Sequence, residues 1–368
     1  MMPAPARRRH ILAAVACVSL VQAVPASGQD LLGETGTRGA GSTFVYPLLS
    51  RWSREYRIWL ARGGDYPVAE ASLDDPSASS ALEYEPVGSL AGLLRLKAGA
   101  VDFAASDMGL KSDELNGLGL GQFPIVVGGV VVAVNADGVP SGRLKLTGPV
   151  LADIFLGRIV RWSDPAIAGL NPDLRLPDAP IVVIHRSDGS GTTFNFTAYL
   201  SAVSAEWKLK AGANLMVAWP TGTAAKGNEG VARAVKATRN SIGYVEYAQA
   251  TQLGLAHALL QNRAGRFVRP DAATFQAAAA GADWSAASDF HIVLTDPAGD
   301  QAYPIAAAVF VLMSKTAPRV RTRSALDFFR WSLRKGSGTA TTLGYVPLPP
   351  MLVQQVEAYW ARTFQAGS

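Results

Sequence analysis

The chain has 368 residues, 49% of them hydrophobic and 17% charged. That is enough apolar material for a core shared by two lobes and too much for a disordered tail. The formal charge of +5 falls to +2 once Arg7, Arg8 and Arg9 are set aside, so no nucleic-acid surface is implied.

The N-terminus reads as an address. Arg7 to His10 is a positive segment, Ile11 to Val24 a short apolar run, and Val24-Pro25-Ala26 offers a small-residue cleavage site. This pattern predicts a secretory signal peptide over residues 1–28. The run is short of the roughly 20 apolar residues a membrane span needs. The one cysteine, Cys17, lies within it. Ala14-Val15-Ala16-Cys17 is a poor match to a lipoprotein cleavage site, so lipid anchoring there is not expected. A mature chain without cysteine has no disulfide, no thiol nucleophile and no thiolate metal site. His185, His257 and His291 are scattered without metal-ligand spacing, so no metal is expected.

Downstream, one plan repeats: a β-rich stretch, a Gly/Ser turn, then an amphipathic helix. Gly39-Ala40-Gly41-Ser42 precedes Phe44, Leu48, Trp52, Tyr56 and Leu60, whose spacing of four predicts one helical face. Pro47 falls early enough to be tolerated. Gly63 to Ser80 is rich in Asp, Ser, Ala and Pro and reads as an exposed loop. Leu82 to Val87 predicts a strand, Gly88-Ser89 a turn, and Leu90 to Ala98 a helix ended by Gly99. Val101 to Ala105 predicts a short strand ending at Ser106-Asp107. Phe123 to Val134 is a long apolar run broken by Gly128-Gly129, and its β-branched content predicts buried strand. Pro180 to Ile184 predicts a strand, His185 to Gly191 a turn, and Thr192 to Val203 a helix. Ile305 to Met313 repeats the buried-strand pattern. The fold class is α/β, and the two buried runs suggest a middle lobe inserted into an outer one.

Each of the three turns places a hydroxyl residue at a helix start. The first N–H groups of a helix lack intrahelical partners, and the macrodipole adds partial positive charge there. One such turn is an ordinary cap. Three, joined by an arginine and an aspartate in similar turns, describe a pocket for a small oxyanion.

Several segments then become specific. Gly39-Ala40-Gly41-Ser42-Thr43-Phe44, Val101 to Asp107, Gln122-Phe123-Pro124, Ile154 to Ile159 with Trp162, and Arg186-Ser187-Asp188-Gly189-Ser190-Gly191-Thr192 occur in order. Lys226-Gly227-Asn228 and Ile242 to Tyr247 follow. In these segments the chain resembles the periplasmic phosphate-binding proteins of bacterial phosphate ABC transporters. The resemblance implies a two-lobed, type II-like Venus-flytrap fold with two hinge crossings, near Asn135 and Val309. Lobe 1 would comprise residues 29–134 and 309–368, and lobe 2 residues 135–308. It implies a periplasmic receptor that closes on inorganic phosphate and delivers it to a membrane permease, without cofactor or catalysis, as a monomer. The phosphate ligands implied are Thr43, Phe44 through its N–H, Ser89, Asp107, Arg186, Ser190, Gly191 and Thr192. Asp188 would hold the Arg186 guanidinium.

The chemistry of Asp107 fits that implication. A carboxylate only accepts, so beside an anion it can use a ligand that still carries a proton. Phosphate does at neutral pH and sulfate does not; a site built for a hydrogen bond rejects an analogue lacking it by about 10⁴–10⁵. Arsenate is protonated too and remains open, whereas sulfate and molybdate are disfavoured. An enzyme would need a nucleophile with its base, or metals. Ser190 lies in no G-x-S-x-G, and neither a P-loop nor a G-x-G-x-x-G occurs. Two features depart from the resemblance. The second turn is Ser89-Leu90-Ala91-Gly92 where the family usually carries Ser-Ser-Gly-Gly, and the Gly63 to Ser80 loop looks longer than usual.

Overall fold

The computed structural model describes residues 37–63, 82–284 and 288–364. The expected signal peptide, Cys17, and the loop beyond Gly63 lie outside the described residues.

The first strand, β1 (Thr37–Gly41), is followed by α1 (Tyr46–Ala61), β2 (Leu82–Glu85), α2 (Ser89–Lys97), β3 (Phe103–Ser106) and the long β4 (Leu120–Asn135). Then come β5 (Val182–Arg186), α3 (Gly191–Val203), β6 (Thr223–Ala225), α4 (Gly227–Ala237), β7 (Ser241–Glu246) and α5 (Tyr247–Gln252). The last long strand is β8 (Ala306–Ser314). The sheet runs β2-β1-β3-β8-β4-β7-β5-β6. Its two flanks are parallel: β2, β1 and β3 on one side, and β7, β5 and β6 on the other. The middle is antiparallel, with β8 between β3 and β4 and β4 against β7. Parallel strands need helical crossovers, so α1 and α2 serve one flank and α3 and α4 the other.

The strand β4 joins the flanks. Residues 120–129 pair with β8 and residues 130–135 with β7. It is buried along its whole length to Val134, which explains a sequence run with no alternation. Gly129 sits at the handover because a Cβ there would lie 2.1 Å from the Phe275 ring. Pro124 cannot donate to a ladder, and the register with β8 shifts between Val309 and Phe310, opposite Val126 and Pro124.

Each flank has its own group of aromatic rings within one continuous core. Around β1 to β3, Phe103 and Phe123 meet Phe329 edge-on at 5.0 and 5.6 Å. Around β5 and β7, Phe155, Phe196 and Tyr244 cluster, with Phe196 stacked on Tyr244 at 4.3 Å. Burial of each such ring contributes about 1.5–3 kcal/mol.

Several expected bounds shift. Phe44 is buried but precedes α1, whose N-cap is Val45. Leu60, expected on the core face, is 51% exposed. Each step of four advances about 40° beyond a full turn, so a strict spacing of four winds off the face within four steps. The strand expected at Pro180 to Ile184 is β5, running on through Arg186 because His185 and Arg186 pair with Ala224 and Ala225. Gly99 takes φ +69 one residue after the cap at Ala98, as a C′ glycine does.

Candidate functional site

Three strand ends converge where the flanks meet. The segment after β1 brings Ser42, Thr43 and Phe44, the start of α2 brings Ser89, and the end of β3 brings Asp107. From the other flank, the end of β5 brings Arg186 and Asp188, and the start of α3 brings Ser190 to Thr192. Open α/β sheets gather ligands at such strand ends. Thr43, Phe44, Ser89, Asp107, Arg186, Ser190, Gly191 and Thr192, the eight residues expected to bind, are all buried.

Hydrogen bonds tie the two sides together. Ser89 Oγ donates to Asp107 Oδ1 at 3.1 Å and accepts from the Gly191 N–H at 3.1 Å. Thr192 Oγ1 donates to Asp107 Oδ2 at 2.9 Å and accepts from Arg186 Nη1 at 3.3 Å. The Leu90 N–H donates to Gly189 O at 3.2 Å, so the departing residue of the second turn meets the third turn. Gly191 must be glycine: a Cβ there would lie 2.6 Å from Asp107 Cγ.

Asp188 grips Arg186 through both oxygens, at 2.8 Å to Nε and 2.5 Å to Nη2, a fork that only arginine matches. It also accepts from the Gly227 N–H at 2.9 Å. Burial pushes the Asp188 carboxyl up, but the Arg186 hydrogen bonds and charge and that N–H outweigh it, holding it below its ordinary value. Asp107 behaves oppositely. Burial raises its pKa, and the hydroxyls of Ser42 and Thr192 with the Arg186 charge only partly offset this. The site therefore holds one firmly ionised pair and one carboxyl for which ionisation is costly.

The other expected positions have local partners as well. The Phe44 N–H donates to Ser42 Oγ at 3.0 Å. Ser190 Oγ caps α3 by accepting from the Thr193 N–H at 3.2 Å. His185 turns to the opposite face from Arg186 and stacks on Trp219 at 4.8 Å.

Two buried asparagines complete the site, and spacing did not single them out. Asn195 Nδ2 donates to Asp107 O at 2.5 Å and Gly191 O at 2.9 Å. Asn228, inside a motif recognised only as a string, donates to Thr43 Oγ1 and Thr192 Oγ1. Behind them Glu246 caps α5, accepting from the Ala248 and Gln249 N–H groups at 2.6 and 2.9 Å. Gln249 Nε2 in turn donates to Thr43 O at 2.8 Å. Burial lifts the Glu246 carboxyl to about 8 against those donors, and the Asp107 charge adds to the rise. A carboxyl raised on folding contributes stability below its unfolded pKa that is lost as pH rises through the folded value. The Glu246 contribution is therefore expected to lower the melting temperature as pH rises from about 5 to about 8 and to level off above that, and Glu246→Gln to flatten that decline; parallel curves for both proteins would refute it.

Two α/β flanks joined through β4, with a small enclosed polar site between them, define a substrate-binding protein of the two-lobed periplasmic type. A family model described as the PBP superfamily domain matches residues 26–335. A phosphate-binding protein PstS of Xylella fastidiosa (strain 9a5c) is 49% identical over 328 residues, covering 89% of this chain and 85% of its own. The phosphate-binding protein PstS of Pasteurella multocida is 46% identical over 323 residues, covering 88% of this chain and 89% of its own. Among solved structures, a phosphate-binding protein from Stenotrophomonas maltophilia has a TM-score of 0.65 at 21% identity, covering 89% of this chain and 94% of its own; that likeness speaks for the fold. The chain belongs to the PstS family of phosphate-binding proteins.

Proposed function

We infer that this chain is a periplasmic receptor that binds inorganic phosphate between its lobes and hands it to the permease of an ABC transporter. It is a binding protein, not an enzyme. The observation that carries the reading is the convergence of Thr43, Ser89, Asp107, Arg186 and Thr192, from both flanks of the sheet, on one enclosed site.

The roles follow from the donor set. Arg186, positioned by Asp188, supplies the positive charge. Thr43, Ser89, Ser190 and Thr192 would supply hydroxyls, and the N–H groups of Phe44 and Gly191 would exchange their bonds to Ser42 and Ser89 for the ligand, beside the Thr192 N–H at the start of α3. Asp107 accepts the proton that the ligand retains at neutral pH. Arsenate offers the same proton and is the closest competitor; sulfate offers none.

We propose a division into two lobes close to residues 29–134 with 309–368 on one side and 135–308 on the other. We place the hinge where β4 changes partner, between Gly129 and Val130, a few residues before Asn135. Closure would be rigid-body rotation about that strand and its neighbour β8. The chain would act as a monomer, reach the periplasm by a cleaved leader, and bind no nucleic acid.

Phosphate is expected to raise the melting temperature of protein stripped of ligand by unfolding, dialysis and refolding. At a hundredfold excess over Kd a ligand adds about 2.7 kcal/mol of stability. The same concentration of sulfate should leave the melt unchanged. No shift with millimolar phosphate would count against the receptor reading.

A further inference from the structure

Asn228 lies at the start of α4 and is fully buried. Its side-chain Oδ1 accepts from the Glu246 N–H at 3.0 Å. A backbone N–H can only donate, so the amide cannot be turned round, and its NH₂ group faces the site. That group donates to Thr43 Oγ1 at 3.0 Å and to Thr192 Oγ1 at 3.1 Å. The Asn228 backbone N–H also donates to Thr43 Oγ1, at 3.1 Å.

Counting lone pairs gives the consequence. Thr43 Oγ1 accepts two bonds, both from Asn228, so its capacity to accept is filled and its proton must point elsewhere. Thr192 Oγ1 accepts from Asn228 and from Arg186 Nη1, and donates to Asp107. Both hydroxyls are thereby set as donors. A ligand oxygen that carries a proton finds no acceptor in either of them, and is directed to Asp107.

We propose that Asn228 is a positioning residue: it spans the two flanks, fixes Thr43 and Thr192 as donors, and so decides which ligand oxygen keeps its proton. This rests on the phosphate reading of the site and adds to it the rule by which the site reads protonation.

The test is the affinity of Asn228→Ala for inorganic phosphate, measured by titration calorimetry beside wild type at pH about 8 and about 5.5, where the ligand carries mainly one and two protons. Freed hydroxyls can rotate and accept. The expected loss is about tenfold to a hundredfold at the higher pH, since the Thr43 donor and the Thr192 bond to Asp107 both lose their orientation. The loss should shrink severalfold at the lower pH, where the second P–OH finds the new acceptors. Asp188, Asp107 and Glu246 are common to both proteins, so their titration largely cancels in the ratio. Asn228→Asp keeps the volume and the acceptor for Glu246 while turning both hydroxyls toward itself. It should bind worse than Asn228→Ala at the higher pH, and it serves if the alanine variant does not fold. Equal losses at both pH values, or no loss, would overturn the proposal while leaving the receptor reading intact. A wild type that binds no phosphate would overturn that reading, and this proposal with it.

Discussion

Replacing Asp107 with asparagine is expected to remove most of the discrimination between phosphate and sulfate. In the native site the carboxylate is 3% exposed and surrounded by hydroxyls that donate to it. A protonated phosphate oxygen can join them as another donor. Sulfate would instead set a bare oxygen against the carboxylate, leaving a buried acceptor unpaired beside a like charge, which is where a preference of about 10⁴–10⁵ originates. Asp107→Asn offers an NH₂ group to that oxygen and removes the repulsion. Competition of labelled phosphate with excess sulfate should show the preference reduced at least about a hundredfold. Unchanged selectivity would remove Asp107 from its role. The variant should also gain stability without ligand, because burial raises the Asp107 pKa. The ionised form burdens the folded state, so the gain should grow as pH rises from the ordinary carboxylate range through the raised value. At pH well below that range the two proteins should melt alike.

Arg186→Ala is expected to have the largest effect on both binding and stability. The side chain is 1% exposed and its partner Asp188 12%. Removing the guanidinium takes away the positive charge that Arg186 brings to the site and strands a buried carboxylate. Stranding costs about 3–5 kcal/mol, and loss of the charged ligand contact should weaken phosphate binding about a thousandfold or more. Arg186→Lys should recover little, since a point charge cannot make both bonds of the fork. The double variant Arg186→Met with Asp188→Leu separates the two effects. Stability should largely return, short of the bond from the Gly227 N–H, while binding should not. A double variant as unstable as Arg186→Ala would mean that the stranded charge is not the cause.

What could be read in the sequence was what is local in the chain. A turn leading into a helix announces itself through adjacent residues, so Thr43 ahead of α1 and Ser89 and Ser190 to Thr192 at the starts of α2 and α3 were visible from their glycine and hydroxyl neighbours. The buried strands were visible because β4 and β8 are covered on both faces and show no alternation. Asn228 was not singled out, because its meaning comes from Thr43, 185 residues away. Asn195 was hidden for the same reason: it lies one turn beyond Gly191 on α3 and acts on the Asp107 carbonyl. The extension of β5 through Arg186 depends on pairing with β6, which no local propensity encodes. The Leu90-Ala91 departure in the second turn places Leu90 against Gly189 across the site, a contact that no neighbouring residue encodes.

The most direct measurement is a calorimetric titration of ligand-stripped protein with phosphate and, separately, with sulfate. The expected result is saturable phosphate binding at one site per chain and no measurable heat from sulfate. Sulfate binding as tightly as phosphate, or phosphate producing no saturable signal, would contradict a cleft that admits a tetrahedral anion only when it still carries a proton.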